Sequence, residues 1–243
     1  ELPSNTSVLT DLNINNSNGV KLSSAVTVNG NLSLNQGNLI SSSTHLLTMA
    51  NGSTTSSSGS ASSFVSGPMK KIGNSDFIFP IGKGNKWARA AISNISGGSK
   101  DFFVAEYFDN SPSNLTSLGS GLSSGRVSHK EYWIIDPNTA MSGNLTLYWE
   151  DGNFSGIAYL SSSDLVVAHY LSGNWISEDN TFSSGSSSSG LVTSATISSW
   201  SPFTFGSPSL NNPLPVKLVD FVSSANSSLT SLAWKTMSEI NNQ

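Results

Sequence analysis

The sequence predicts an all-β protein: a short parallel β-helix, then an antiparallel β-sandwich, then the first strands of an immunoglobulin- or fibronectin-like module. Three observations predict it. Charged residues make up only 11% of the 243, against roughly 25% in an average soluble domain. Serine, asparagine, threonine and glycine fill the difference, and these residues favour turns and caps over helix interiors because they bond locally to backbone. Apolar residues also alternate at period two in short runs, as strands with one buried face require.

Residues 1–69 carry the β-helix pattern. Leu12 and Ile14 return as Leu32 and Leu34, Val20 returns as Leu39, and Val26 and Val28 return as Leu47 and Met49. The interval is about twenty residues with a strand on each of three sides, the sequence mark of a solenoid whose turns bury a core only by stacking. Asn and Gly fill the corners, as at Asn29-Gly30 and Gln36-Gly37-Asn38. A third turn is expected through residues 53–65, with a neighbour capping the stack. The competing reading is an antiparallel sandwich with evenly spaced strands.

Residues 70–207 read as the sandwich. Strand-like runs at 77–81, 90–95, 102–108, 131–135, 145–149, 165–170, 174–177, 191–197 and 203–205 are separated by turn-rich stretches, the spacing of antiparallel sheets. Aromatic residues are spread across nearly all of these runs, which suits a shared core better than one exposed platform. Residues 208–215, rich in Pro, Ser and Asn, read as a linker. Residues 216–243 hold two more alternating strands, too few for an independent sandwich.

The run Leu214-Pro215-Val216-Lys217-Leu218-Val219-Asp220-Phe221, followed by Leu232-Ala233-Trp234-Lys235-Thr236 and Ser238-Glu239-Ile240-Asn241-Asn242, resembles an element of secreted Bacteroidetes proteins. There it opens an immunoglobulin- or fibronectin-like module ahead of the C-terminal sorting domain of the type IX secretion system. The common form has Ala-Ser-Glu where this chain has Met237-Ser238-Glu239. Ser66 to Gly73, Phe77 to Gly82 and Trp200-Ser201-Pro202-Phe203 also resemble the large repetitive surface proteins of that group. The resemblance implies export by the type IX machinery to the outer cell surface or the medium. It also implies that this chain is a fragment or a processed product, and it says almost nothing about ligand or activity.

The net charge of −4 argues against nucleic acid, which needs a concentrated basic face. There are no cysteines, so neither a disulfide framework nor a thiolate metal site is available. No apolar run reaches the roughly 18–20 residues that span a bilayer. The start, Glu1-Leu2-Pro3, has no basic and apolar leader pattern and reads as a mature or trimmed start. His45, His129 and His169 are far apart in sequence and form no ligand spacing. No Gly-x-Ser-x-Gly elbow is present, and Gly82-Lys83-Gly84-Asn85-Lys86 lacks the order of a phosphate loop and reads as a hairpin.

Two groups remain as candidate sites. Glu150-Asp151-Gly152-Asn153 ends a strand and reads first as a turn and second as a calcium loop, with Glu150, Asp151 and Asn153 as oxygen ligands. As a catalytic couple Glu150 and Asp151 are disfavoured, because adjacent strand residues point to opposite faces. No cofactor is expected, with calcium the one exception. Trp175 with Asn174 and Glu178 reads first as core and second as a sugar-stacking site; Trp149 with Glu150 is a similar pair.

The function expected is therefore non-catalytic: a structural or adhesive surface module whose partners are glycans or other cells. Two alternatives stay open. One is a carbohydrate-binding accessory region of a secreted polysaccharide-degrading enzyme. The other is a subunit of an extracellular filament or sheath that assembles with itself by strand exchange.

Overall fold

The computed structural model describes residues 7–214, 218–225 and 230–236. Glu1-Leu2-Pro3, Pro215-Val216-Lys217 and the Met237 to Asn242 element lie outside the described residues. The architecture is all-β, with a solenoid of about three turns followed by antiparallel sheets. The one helix among the described residues is the single turn Gly152–Ser155.

The solenoid has three faces. Val8–Leu9, Val26–Val28, Leu47–Met49 and Met69–Ile72 form the first, all paired in parallel. Leu12–Asn15, Asn31–Gln36 and Thr54–Thr55 form the second. Val20–Lys21, Leu39–Ile40, Val65–Ser66 and Ile81–Lys83 form the third. The register places like residues over like: Leu12 on Leu32, Ile14 on Leu34, Val20 on Leu39, Val26 on Leu47, Val28 on Met49. All of these except Val20 are buried, because period-two alternation points each column inward.

The corners explain the glycines. Gly37 has φ +77°, and a Cβ there would lie 1.7 Å from the Asn16 carbonyl oxygen of the turn beneath. The Gly37 corner therefore stacks on its neighbour more closely than any side chain permits. Polar ladders run outside the core: Asn35 Nδ2 donates to Asn13 Oδ1 at 3.0 Å, and the Ser33 and Ser56 hydroxyls meet at 2.8 Å.

The stack does not end in solvent. Met69–Ile72 pairs in parallel with Leu47–Met49 on one edge and antiparallel with Phe102–Phe108 on the other. From there the same sheet continues antiparallel through Tyr132–Pro137, Phe203–Ser207, Val166–Leu171 and Asn174–Ser177, with Arg126–Val127 also on Phe203–Ser207, to make ten strands. A second, five-stranded sheet of Phe77–Phe79, Ala90–Ser93, Asn144–Trp149, Gly190–Thr193 and Phe182–Gly185 closes the sandwich. Its interior and the solenoid lining are one hydrophobic cluster, running from Leu12 to Leu214. Residues 69 and 70 thus sit within one strand of one sheet.

Aromatic rings fill the sandwich. Trp133 lies 5.2 Å from Tyr107 and 5.3 Å from Phe205, centroid to centroid, and its indole donates to the Ala88 carbonyl at 2.9 Å. Val166–Leu171 loses the usual alternation because both its faces are covered. A smaller cluster of Leu122, Val127, Val166, Ala168 and Trp175 packs beneath the loop that follows Phe108. That loop also covers the sheet's last edge: Trp175 N donates to Ser117 O at 2.7 Å and Gly119 N to Trp175 O at 2.8 Å. Covering an edge in this way hides a template for unwanted strand pairing.

The Pro-, Ser- and Asn-rich stretch after Ser207 is docked on this body as far as Leu214. Asn212, fully buried, accepts from Ala158 N and Tyr159 N at 2.6 and 2.7 Å and donates to Tyr159 O and Asp164 O at 2.8 and 2.7 Å. Leu214 is buried in the main core. Leu218–Ala225 and Thr230–Thr236 pair as an antiparallel hairpin with a register shift between Leu218 and Asp220.

Candidate functional site at the solenoid–sandwich seam

Four elements converge where the solenoid meets the sandwich. The third solenoid face ends in a hairpin whose return strand is Lys86–Trp87. Phe102–Phe108 and Tyr132–Pro137 are paired, with Tyr107 opposite Trp133. Asn144–Trp149 runs out of the second sheet into the turn at Glu150-Asp151. Between them lies a cavity of about 300 Å³, lined among others by Lys86, Trp87, Tyr107, Glu131, Asp151 and Phe154.

Glu131 lies at its floor and is only 2% exposed. It shares the strand face of Trp133 and Ile135, so its side chain points inward with theirs. Tyr107 Oη donates to Glu131 Oε2 at 3.0 Å. The Ser155 hydroxyl is a second polar neighbour that favours the ionised form, and Oε1 is sealed from solvent. Burial raises the Glu131 carboxyl to about 7; Ser155, Tyr107 and Lys86 pull it down, and the Asp109 charge pushes it up. Burial likewise raises the Tyr107 phenol, with the Glu131 and Asp109 charges adding to it.

The rim is charge-matched. Arg89 Nε donates to Glu150 Oε1 at 2.9 Å and a second guanidinium nitrogen reaches the same oxygen. The guanidinium lies 4.2 Å from the Trp87 ring centroid and 4.3 Å from that of Tyr148, a cation held between two rings. Asp151 caps the short helix, accepting from Phe154 N at 3.2 Å, and its other oxygen lies 3.4 Å from Lys86 Nζ. Lys86 also sits 3.9 Å over the Phe154 ring.

This geometry gives the turn at Glu150 to Asn153 a different occupation from a calcium loop. Glu150 faces Arg89, Asp151 faces Lys86 and caps a helix, and Asn153 is exposed. Among the described residues no group of three or more His, Asp or Glu side chains could hold a metal.

Trp175 is fully buried, its indole donating to Ser113 O at 3.1 Å and its ring 5.3 Å from that of Tyr170. It has no open face for a sugar. Asn174 beside it is exposed, and Glu178 is committed to His169, whose Nδ1 lies 2.8 Å from Glu178 Oε1. The structure therefore does not gather Trp175, Asn174 and Glu178 into one binding surface. Trp149 is core, although its edge borders the cavity.

Sequence reasoning passed over Glu131. The signal was present: Glu131, Trp133 and Ile135 alternate in phase, which places an acid on an apolar face. Comparison with known protein families, curated proteins and solved structures returned no match.

Proposed function

We propose that this chain is a non-catalytic structural and adhesive module of an exported protein, a rigid arm that holds surface loops at a set distance. The observation that carries this reading is the shared sheet. A solenoid that passes into a sandwich through one strand, Met69–Ile72, with a common core, has no hinge at the joint. Rigidity without a moving part is what a spacer needs and what a lidded enzyme site lacks. The low-charge, Ser- and Asn-rich exterior and the type IX resemblance of Leu214 to Asn242 support export to the outer surface.

Three measurements test it. Antibody labelling of intact source cells is expected to detect the chain without lysis, and beads coated with the 243-residue chain are expected to adhere to cells or matrix. Labelling only after lysis removes the surface location. Turnover of chromogenic glycoside, ester or peptide substrates that a pocket substitution abolishes would replace the structural reading with an enzymatic one.

A further inference from the structure

An Asn-Gly pair is a chemical weak point. Glycine has no Cβ to obstruct its own backbone nitrogen, which can reach the side-chain carbonyl of the asparagine before it. The sequence holds three such pairs, Asn18-Gly19, Asn29-Gly30 and Asn51-Gly52. All stand at solenoid corners, and all three asparagines are exposed. The stack treats their glycines differently. Gly19 N donates to Asn16 O at 2.7 Å and Gly30 N to Thr10 O at 2.6 Å. A Cβ on Gly19 would lie 2.7 Å from Asn38 O, and one on Gly30 2.5 Å from Asp11 Oδ1. Gly52 N has no acceptor among the described residues, and no atom lies within 4 Å of where its Cβ would stand. The register explains the difference. Val28 pairs with Met49, twenty-one residues on, but Asn31 pairs with Thr54, twenty-three on. This corner therefore carries two residues more than the one it stacks on, and Asn51-Gly52 stands clear of the stack.

We propose that Asn51 is a self-modification site, converting to aspartate and isoaspartate in the folded protein while Asn18 and Asn29 are held back. Gly52 N, losing its proton, bonds to Asn51 Cγ; the Cγ–Nδ2 bond breaks, and Nδ2 leaves as ammonia with that proton. Water opens the resulting five-membered imide, at Cγ to give aspartate or at the main-chain carbonyl to give isoaspartate. The net reaction is amide plus water to carboxylate plus ammonium. Asn51 directly follows Ala50, whose carbonyl accepts from Lys71 Nζ at 2.8 Å, and Lys71 belongs to the strand that joins solenoid to sandwich. The reaction thus places a permanent negative charge one residue from that anchor, and the isoaspartyl form also lengthens the main chain there by one carbon. The inference is independent of the adhesive reading: either stands if the other fails.

The test is peptide mapping by mass spectrometry of the 243-residue chain held folded in warm, mildly alkaline buffer, with isoaspartate counted by L-isoaspartyl methyltransferase labelling. Asn51 is expected to convert about tenfold faster than Asn18 or Asn29, the cost of freeing one hydrogen-bonded N–H. In concentrated urea the three pairs are expected to convert at similar rates, since only the folded stack distinguishes them. Asn51→Gln is expected to remove most of the isoaspartate that the folded chain accumulates. Equal conversion of the three pairs in the folded chain, or faster conversion at another asparagine, overturns the proposal. So does an Asn51 that stays intact for as long as the urea-unfolded chain takes to convert, or labelling that Asn51→Gln leaves unchanged. A preference for Asn51 that survives in urea overturns it too, assigning the selectivity to local sequence rather than to the fold.

Discussion

Glu131 is the residue at which fold and chemistry conflict most openly. A carboxyl normally half-ionised at 4.5 is raised to about 7 by burial, so the native state holds its proton more tightly than the unfolded chain does. The sign follows from linkage: between about pH 4.5 and 7 the folded form carries the extra proton, so stability falls as pH rises through that window and levels off above it. The group accounts for up to roughly 3 kcal/mol of that fall. Glu131→Gln is expected to flatten the profile, so that urea midpoints of variant and wild type diverge most above pH 7, with the variant the more stable. A variant whose stability keeps the same slope across the window would mean that Glu131 does not carry the effect. Such a residue was legible in principle, because an acid in phase with Trp133 and Ile135 is an anomaly of pattern. Trp175 was read first as core and is core, but what covers it was not legible. Its burial comes from the Ser113 to Ser120 loop folding over the edge strand, and a loop's resting place leaves no period in the sequence.

At the scale of the element, the solenoid was the most readable part. Its partners lie one turn away, so the columns Leu12–Leu32, Val20–Leu39 and Val28–Met49 appear as a near repeat. What ends the stack was less visible. The inward column Val28–Met49 terminates in Lys71, only 1% exposed. Its stem covers the core while Nζ donates to the Ala50 and Ile72 carbonyls, both at 2.8 Å. Burial holds this ammonium below its ordinary range. Lys71→Ala is expected to cost about 2–4 kcal/mol in urea unfolding, combining a cavity with two carbonyls that lose donors. Lys71→Met restores the packing alone and is expected to recover about half of that loss. Full recovery by Met would show that the two carbonyl bonds contribute nothing net.

At the scale of the whole molecule, the surprise is continuity. Solenoid and sandwich were expected as successive units; they share a sheet of ten strands and one hydrophobic cluster. The pairing of Met69–Ile72 with Phe102–Phe108 joins segments about thirty residues apart with no shared period, and a sequence pattern cannot specify which edges meet. Such coupling predicts one calorimetric transition for residues 7–214, with calorimetric and van't Hoff enthalpies in agreement. Two separated transitions, one for each expected unit, would contradict a common core.

The stacking register of the solenoid also has a bearing on reach. Because Val26–Val28 sits in line with Leu47–Met49, a whole turn could be spliced in or cut out without altering the strand that meets the sandwich. Each such edit would change the solenoid by about 4.8 Å, one inter-strand spacing, so its length is available only in steps, like notches on a ruler.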